Sequence, residues 1–218
     1  MENFKVAIDG PAGSGKSTIS KLLAKKLGYV HIDTGAMYRA ITIEAIKRGI
    51  DLKDRNAYGF IDNVDIKYVS DRIYLNGKDV SEEIRMPYVT ENVSMVSSIP
   101  YVRQRLCDLQ RKVAKEGLIV MDGRDIGYNV LPDADVKIFL VASIEERTKR
   151  RALELEAKGI QVNFEELKED LVRRDYADSN RDTSPLKKAN DAILLDTTEL
   201  SIEEVVAEIC KLIEGRTK

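Results

Sequence analysis

Histidine occurs once in the 218 residues, and cysteine only at Cys107 and Cys210, far apart and without a CxxC pair or a histidine cluster. A zinc centre and a disulfide framework are both excluded, and the thiols read as idle or buried groups of a reducing cytosol. Charge of one sign is not in excess: 35 Lys+Arg stand against 37 Asp+Glu, a formal net charge of -2. No global basic field exists to hold nucleic acid non-specifically, so any anion site has to be local. Long apolar runs are missing too, none approaching the ~20 residues of a membrane span. Met1 leads into "FKVAIDG" without the basic segment and apolar stretch of a leader. The expectation is a cytoplasmic monomer with one main domain, whose partners are small molecules and neither nucleic acid nor membrane.

What is present is a series of short apolar runs: "FKVAID" (4–9), "YVHID" (29–33), "GLIVMD" (117–122), "VKIFLV" (136–141) and "AILLD" (192–196). Most precede a polar turn and then a helical pattern, which predicts an α/β fold with a five-stranded parallel sheet covered by helices on both faces. Ser143 with Glu146 and Ser201 with Glu204 fit the S-x-x-E capping box at helix starts. Residues 64–80 differ. "VDIKYVS", "RIYL" and "KDV" favour β structure, and Asn76-Gly77 signals a two-residue hairpin, so a small antiparallel insert is expected apart from the main sheet. "YVRQRLCDLQRKVAKEG" predicts a long helix ending at Gly117, and the stretch 143–182, rich in both charges, predicts two helices broken at Gly159.

"GPAGSGKST" places Gly10, Pro11, Ala12, Gly13, Ser14, Gly15, Lys16, Ser17 and Thr18 between a strand and a helix, as a phosphate-binding P-loop requires. Glycines let successive N–H groups turn inward toward phosphate oxygens, and the helix N-terminus adds its positive dipole end. Lys16 is expected to reach the β and γ phosphates of ATP and the Ser17 hydroxyl to coordinate Mg²⁺. No N-K-x-D signature is present, which disfavours a GTPase. "LIVMD" looks like a Walker B strand that ends in Asp122, near the expected metal. His31, inside a strand, reads as structural.

Arg124 and Asp125 follow Asp122 immediately, which is unusual for an ATPase. A hydroxyl acceptor needs a nearby base, whereas a phosphate acceptor is already ionised and needs cations to offset repulsion between two anions. Arg39 follows the second strand and Arg124 the third, while Arg147, Arg150, Arg151, Arg173, Arg174 and Arg181 lie in the charged segment. Ligands of such folds sit beyond the carboxyl ends of the strands, so Arg39 and Arg124 are expected to face the crevice of the phosphate loop. That favours a phosphorylated acceptor. Two readings stay open from the residues alone: a kinase for a hydroxylated metabolite with Asp125 as general base, and a nucleotide-binding switch or regulatory ATPase.

"IDGPAGSGKST", "DTGAMYRA", "DGRDIG", "RRDYADSNR" and "SPL", in that order, resemble the bacterial cytidylate kinases of the P-loop nucleoside monophosphate kinase family over essentially the whole chain. The resemblance implies a three-layer P-loop core from 1–33, 100–145 and 186–218, a nucleoside-monophosphate-binding flap over 34–99 that carries the small sheet, and a helical lid over 146–185. It also implies Mg²⁺-dependent, reversible transfer of the ATP γ-phosphoryl to CMP or dCMP. Arg39, Arg124 and Arg174 would hold the acceptor phosphate and act catalytically with Lys16. Ser94, Arg103 and Asp125 would read cytosine, Asp178 with Arg181 the ribose, and Thr34 would add a weaker contact. Arg147 and Arg151 would clamp ATP phosphates. A carboxylate suits the cytosine N4 amino donor, and uracil reverses that polarity.

Overall fold

A computed structural model describes residues 3–69 and 72–216. Ser70, the last residue of the expected strand "VDIKYVS", and the outer ends of the expected core segments at Met1 and Lys218 lie outside the described residues. The first part of the chain runs β1 (Phe4–Asp9), α1 (Lys16–Leu27), β2 (Val30–Asp33) and α2 (Thr34–Lys47). The middle follows with β3 (Ile66–Val69), β4 (Arg72–Leu75), β5 (Lys78–Asp79), α3 (Pro87–Thr90), α4 (Val93–Ser98) and α5 (Pro100–Val113). Then come β6 (Leu118–Gly123), β7 (Val136–Val141), α6 (Ile144–Glu156), α7 (Phe164–Asn180), β8 (Ile193–Asp196) and α8 (Ile202–Glu214). Two compact units result, one from Met1–His31, Glu116–Asn180 and Ser184–Lys218, the other from Ile32–Lys115 and Arg181–Thr183.

The expected parallel sheet is present, five strands in the order β2-β6-β1-β7-β8. Helices α1 and α8 press Ile19, Leu23, Val205 and Ile209 onto Val6, Ile8, Val120 and Leu140 of one face. Each such side chain, fully buried, stabilises the fold by about 1.5–3 kcal/mol. Ala7, Ile119 and Met121 alternate with these strand residues and are buried as well, so both faces are covered. Register sets the function of the ends: Asp9 is opposite Gly123 across β1 and β6, which brings the loops following both strands out at the same level.

Caps follow sequence with one exception. Helix α1 stops at Gly28, whose φ of 71° is the left-handed value that glycine adopts without strain. Ser201 and Glu204 form the complete capping box of α8. At α6 only half of it forms: Ser143 Oγ accepts from the Glu146 N–H at 3.2 Å, but the Glu146 carboxylate is drawn to Arg150 Nε at 2.9 Å. The Ser143 N–H donates instead to Thr198 Oγ1 at 3.0 Å.

The second unit has its own core. Ala40, Ile41 and Ile43 of α2 pack with Ile73 and Leu75 of the small sheet and with Val96, Val102 and Leu106. The small sheet is antiparallel, in the order β3-β4-β5. Its expected hairpin is present: Asn76 and Gly77 have φ of 50° and 78°, the two positive values that a type I′ turn demands. Helix α5 opens on Pro100 and ends at Val113, four residues before Gly117. Its apolar positions 102 and 106 pack in this unit. Helices α6 and α7 fall in the first unit. No helix among the described residues is long and apolar enough to cross a membrane.

Candidate active site

The phosphate loop occupies the turn between β1 and α1. A Cβ on Gly10 would stand 2.3 Å from the Leu140 carbonyl oxygen, so only glycine allows the loop to leave β1 against β7. Gly13 and Gly15 take φ of 74° and 85°, which folds the backbone inward. Lys16 is buried and its Nζ donates to the Pro11 carbonyl at 2.9 Å, folding the ammonium across the loop it serves. Ser17 Oγ donates to Asp122 Oδ2 at 2.6 Å, and Asp122 Oδ1 lies 2.7 Å from His31 Nε2. His31 thus braces the strand-end carboxylate. A hydroxyl and a carboxylate are hard oxygen donors and fit Mg²⁺. Among the described residues no group of three or more His, Cys, Asp or Glu could hold a metal ion on its own.

Arginines of α6 lie against this loop in an arrangement that sequence did not anticipate. Arg147 is buried and donates from Nε to the Ala142 carbonyl at 3.0 Å, and from Nη1 to the Ala12 carbonyl at 2.9 Å and to the Asp175 carboxylate. The other oxygen of Asp175 accepts from the Ala12 N–H at 2.9 Å. Arg151 pairs with Glu154 along its own helix at 2.6 Å. Arg147 is thus tied to the loop backbone and Arg151 to a helical neighbour. Arg150 donates to Thr197 Oγ1 at 3.1 Å and to the Thr197 carbonyl at 2.6 Å. Its Nη1 also comes 3.7 Å from where a Cβ on Gly15 would lie.

At the end of β6, Arg124 Nε donates to Asp178 Oδ2 at 2.8 Å. Burial alone would lower the Arg124 pKa, but the charge and hydrogen bond of Asp178, with Asp175 and Asp122 beyond, outweigh it and leave the pKa raised. Arg174 is pushed down, first by burial and then by the positive charge of Arg124. Its Nε is buried without a hydrogen-bond partner among the described residues. Two guanidinium groups that repel each other, one with an unmet donor, form a site that an anion relieves.

Asp125, also buried, accepts from Asn129 Nδ2 at 2.8 Å. Behind it, Asp9 takes the N–H groups of Ile126 and Gly127, both at 2.8 Å, and so joins the tip of β1 to the loop that carries Asp125. Burial pushes the Asp9 carboxyl up from 3.8 to about 7, with Asp125 adding to the rise, while the two amides and Lys16 oppose it. The folded pKa is above the unfolded one, so the native state binds the extra proton. The associated stability is complete below about 4 and is lost as pH rises through about 7. The thermal midpoint is expected to decline between pH 5 and 8, and Asp9→Asn to flatten that decline whatever its effect on absolute stability. Melting curves across this range check it, and an unchanged slope contradicts it.

In the second unit, Asp33 caps α2 by accepting from the Ala36 N–H at 3.0 Å, and its other oxygen accepts from Arg39 Nη2 at 2.8 Å. Arg39 Nε is buried without a hydrogen-bond partner among the described residues. Tyr68 O–H donates to the Asp33 carbonyl, which ties β3 to the start of α2. Thr34, the first residue of α2, is buried. Arg103 is fully buried, with its guanidinium 5.3 Å from the Tyr38 ring centroid and Nη1 3.2 Å from the Ser97 carbonyl. Ser94 accepts at its carbonyl from Ser97 Oγ, 3.0 Å, so it shares one helical turn with the residue that holds Arg103. Arg181 belongs to this unit and Asp178 to the other.

Sequence reasoning missed Asp9, Asp33 and Asp175 as organisers of the site. Signals for two of them existed. Asp9 ends an apolar strand just as Asp122 does, and Asp33 is the N-cap type of residue before a helix. Asp175 stands inside the quoted "RRDYADSNR", but nothing in that string points to Ala12.

A cytidylate kinase family model matches residues 6–215. The chain is 54% identical over 215 residues to a cytidylate kinase of Acholeplasma laidlawii (strain PG-8A), covering 99% of this chain and 97% of that protein. It is 51% identical to cytidylate kinases of Lactobacillus johnsonii, covering 99% and 96%, and of Bacillus cereus (strain ATCC 10987), covering 98% and 97%. Among solved structures, an uncharacterized protein from Eubacterium ventriosum covers 97% of this chain and 99% of its own at 16% identity, with a TM-score of 0.53, a likeness of fold alone. With the phosphate loop, the strand-end carboxylate and the paired arginines in one unit, and half its residues shared with these relatives end to end, the chain belongs to the cytidylate kinase family.

Proposed function

We propose that the chain is a cytidylate kinase that transfers the γ-phosphoryl of ATP reversibly to CMP or dCMP. The observation that carries this reading furthest is the Arg124–Arg174 pair beside the phosphate loop, with a buried donor left unmet, because a dianionic acceptor phosphate satisfies both groups. Lys16 and the loop amides would hold the ATP phosphates. Arg39, Arg124 and Arg174 would hold the acceptor phosphate. Direct in-line transfer then needs only positioning and charge neutralisation, and no covalent intermediate. Ser17, with Asp122 behind it, would hold Mg²⁺, which when bound supplies further charge neutralisation at the transferring group. Cytosine would be read by Asp125, Arg103 and Ser94, and the sugar by Asp178 and Arg181. Arg151 would swing from Glu154 onto ATP phosphates, while Arg147 would act on them through Ala12.

Water competes as acceptor, so closure over both nucleotides is part of the proposal. Residues 34–99 would bind CMP, 146–185 would cover ATP, and 1–33, 100–145 and 186–218 would form the core. The protein would work as a cytoplasmic monomer. A panel of nucleoside monophosphates with ATP and Mg²⁺ tests the reading through kcat/KM for each. CMP and dCMP are expected to lead, with ATP consumption at background when no monophosphate is added. ATP hydrolysis as fast without CMP as with it would overturn the proposal in favour of a regulatory ATPase.

A further inference from the structure

Helix α7 carries two carboxylates three residues apart, and each reaches a different loop beyond the sheet. Asp175 Oδ1 takes the Ala12 N–H at 2.9 Å, while its Oδ2 takes Arg147 Nη1, which also donates to the Ala12 carbonyl at 2.9 Å. Both backbone polar groups of Ala12, a residue only 4% exposed, are thus enclosed in a ring formed by the phosphate loop, α6 and α7. Asp178 Oδ2 takes Arg124 Nε at 2.8 Å. Arg174, next to Asp175 in the chain, feels the charge of Arg124 and has its buried Nε unmet.

On the functional reading above, Ala12 lies on the donor side of the chemistry, and Arg124 and Arg174 on the acceptor side. We propose that Asp175 is a positioning residue that couples the two: it fixes α7 to the phosphate loop, so that ordering of α7 by CMP also orders the loop that takes the adenine nucleotide. The two carboxylates are separated by a rise of only ~4.5 Å along a stiff helix, so displacement at one end is felt at the other. Whichever nucleotide binds first bears the ordering cost, the second binds more tightly, and the coupling is reciprocal. Arg147 alone cannot do this. Its remaining bond goes to Ala142 at the end of β7, which ties the loop to the sheet and leaves α7 out.

A mere brace would raise stability and both affinities but leave their interdependence unchanged, and that difference is measurable. Calorimetric titration of ADP, alone and with saturating CMP, reads the coupling in a pair that has no γ-phosphoryl to transfer. In the wild type, CMP is expected to tighten ADP by about 10-fold and ADP to tighten CMP by the same factor. In Asp175→Ala the factor is expected to fall to about 1 in both directions, with melting followed by circular dichroism to establish that the variant is folded. Asp175→Asn keeps an acceptor for the Ala12 N–H but loses the charge that faces Arg147, and an intermediate factor is expected. This variant carries the test alone if the alanine variant does not fold. A folded variant that retains the full factor overturns the proposal, and so does a wild type that binds CMP and ADP independently. Absence of saturable CMP binding in the wild type would instead remove the functional reading, and the coupling with it.

Discussion

Arg124→Ala is expected to lower kcat/KM for CMP by about 10³-fold, because on the proposed reading it deletes a fixed cation from the developing charge of the transferring phosphoryl group. It should also destabilise the protein. Asp178 would lose its 2.8 Å charged partner while remaining buried, and removing one member of a buried ion pair costs about 3 kcal/mol. Arg124→Lys separates the two effects. An ammonium keeps the charge that Asp178 needs and recovers part of the melting temperature, but it cannot offer one fork to Asp178 and a second to phosphate, so activity should stay low. Steady-state kinetics and thermal melts of both variants check this. Wild-type kinetics in Arg124→Ala would remove the acceptor-phosphate assignment.

The neighbours of Arg124 show what was legible in sequence and what was not. The five strands and the phosphate loop announce themselves through local patterns, apolar runs between helices and glycines before a lysine, and local patterns survive in one dimension. The Asn76-Gly77 turn is equally local, and it forms as expected. Buried carboxylates are different, because their partners come from distant segments: Asp175 is 163 residues from the Ala12 N–H it accepts, and Asp9 is 117 from Ile126. Even a local motif fails when a competitor is at hand. Ser143-x-x-Glu146 matches the capping box as well as Ser201-x-x-Glu204 does, but Arg150 stands one turn further along and captures Glu146. Arg147 illustrates the same limit. Resemblance alone marked it as a clamp on ATP phosphates, and its donors reach Ala142, Ala12 and Asp175, none of which helical periodicity identifies.

Asp125→Asn is expected to cost more in choice of base than in chemistry. Asp125 Oδ2 is already held by Asn129 Nδ2 at 2.8 Å. An asparagine that keeps its amide oxygen toward Asn129 has an NH₂ group in place of the other carboxylate oxygen. On the proposed reading of cytosine by Asp125, that is a donor where there had been an acceptor, which opposes the cytosine amino group and suits the uracil carbonyl. KM for CMP should rise, kcat should fall much less, and the preference for CMP over UMP should shrink by about 10²–10³-fold, within the ~10⁴ that a fully buried polar site can impose. A general base would behave in the opposite way, with kcat abolished and CMP affinity unchanged, and that outcome would return the hydroxylated-metabolite kinase to first place. A second readout is independent of catalysis. Asp125 is one of the charges that raise Asp9, so its neutralisation should move the pH-dependent stability transition downward from about 7. If both shifts appear together, Asp125 is at once the group that reads the base and a charged neighbour of the strand that supports the phosphate loop.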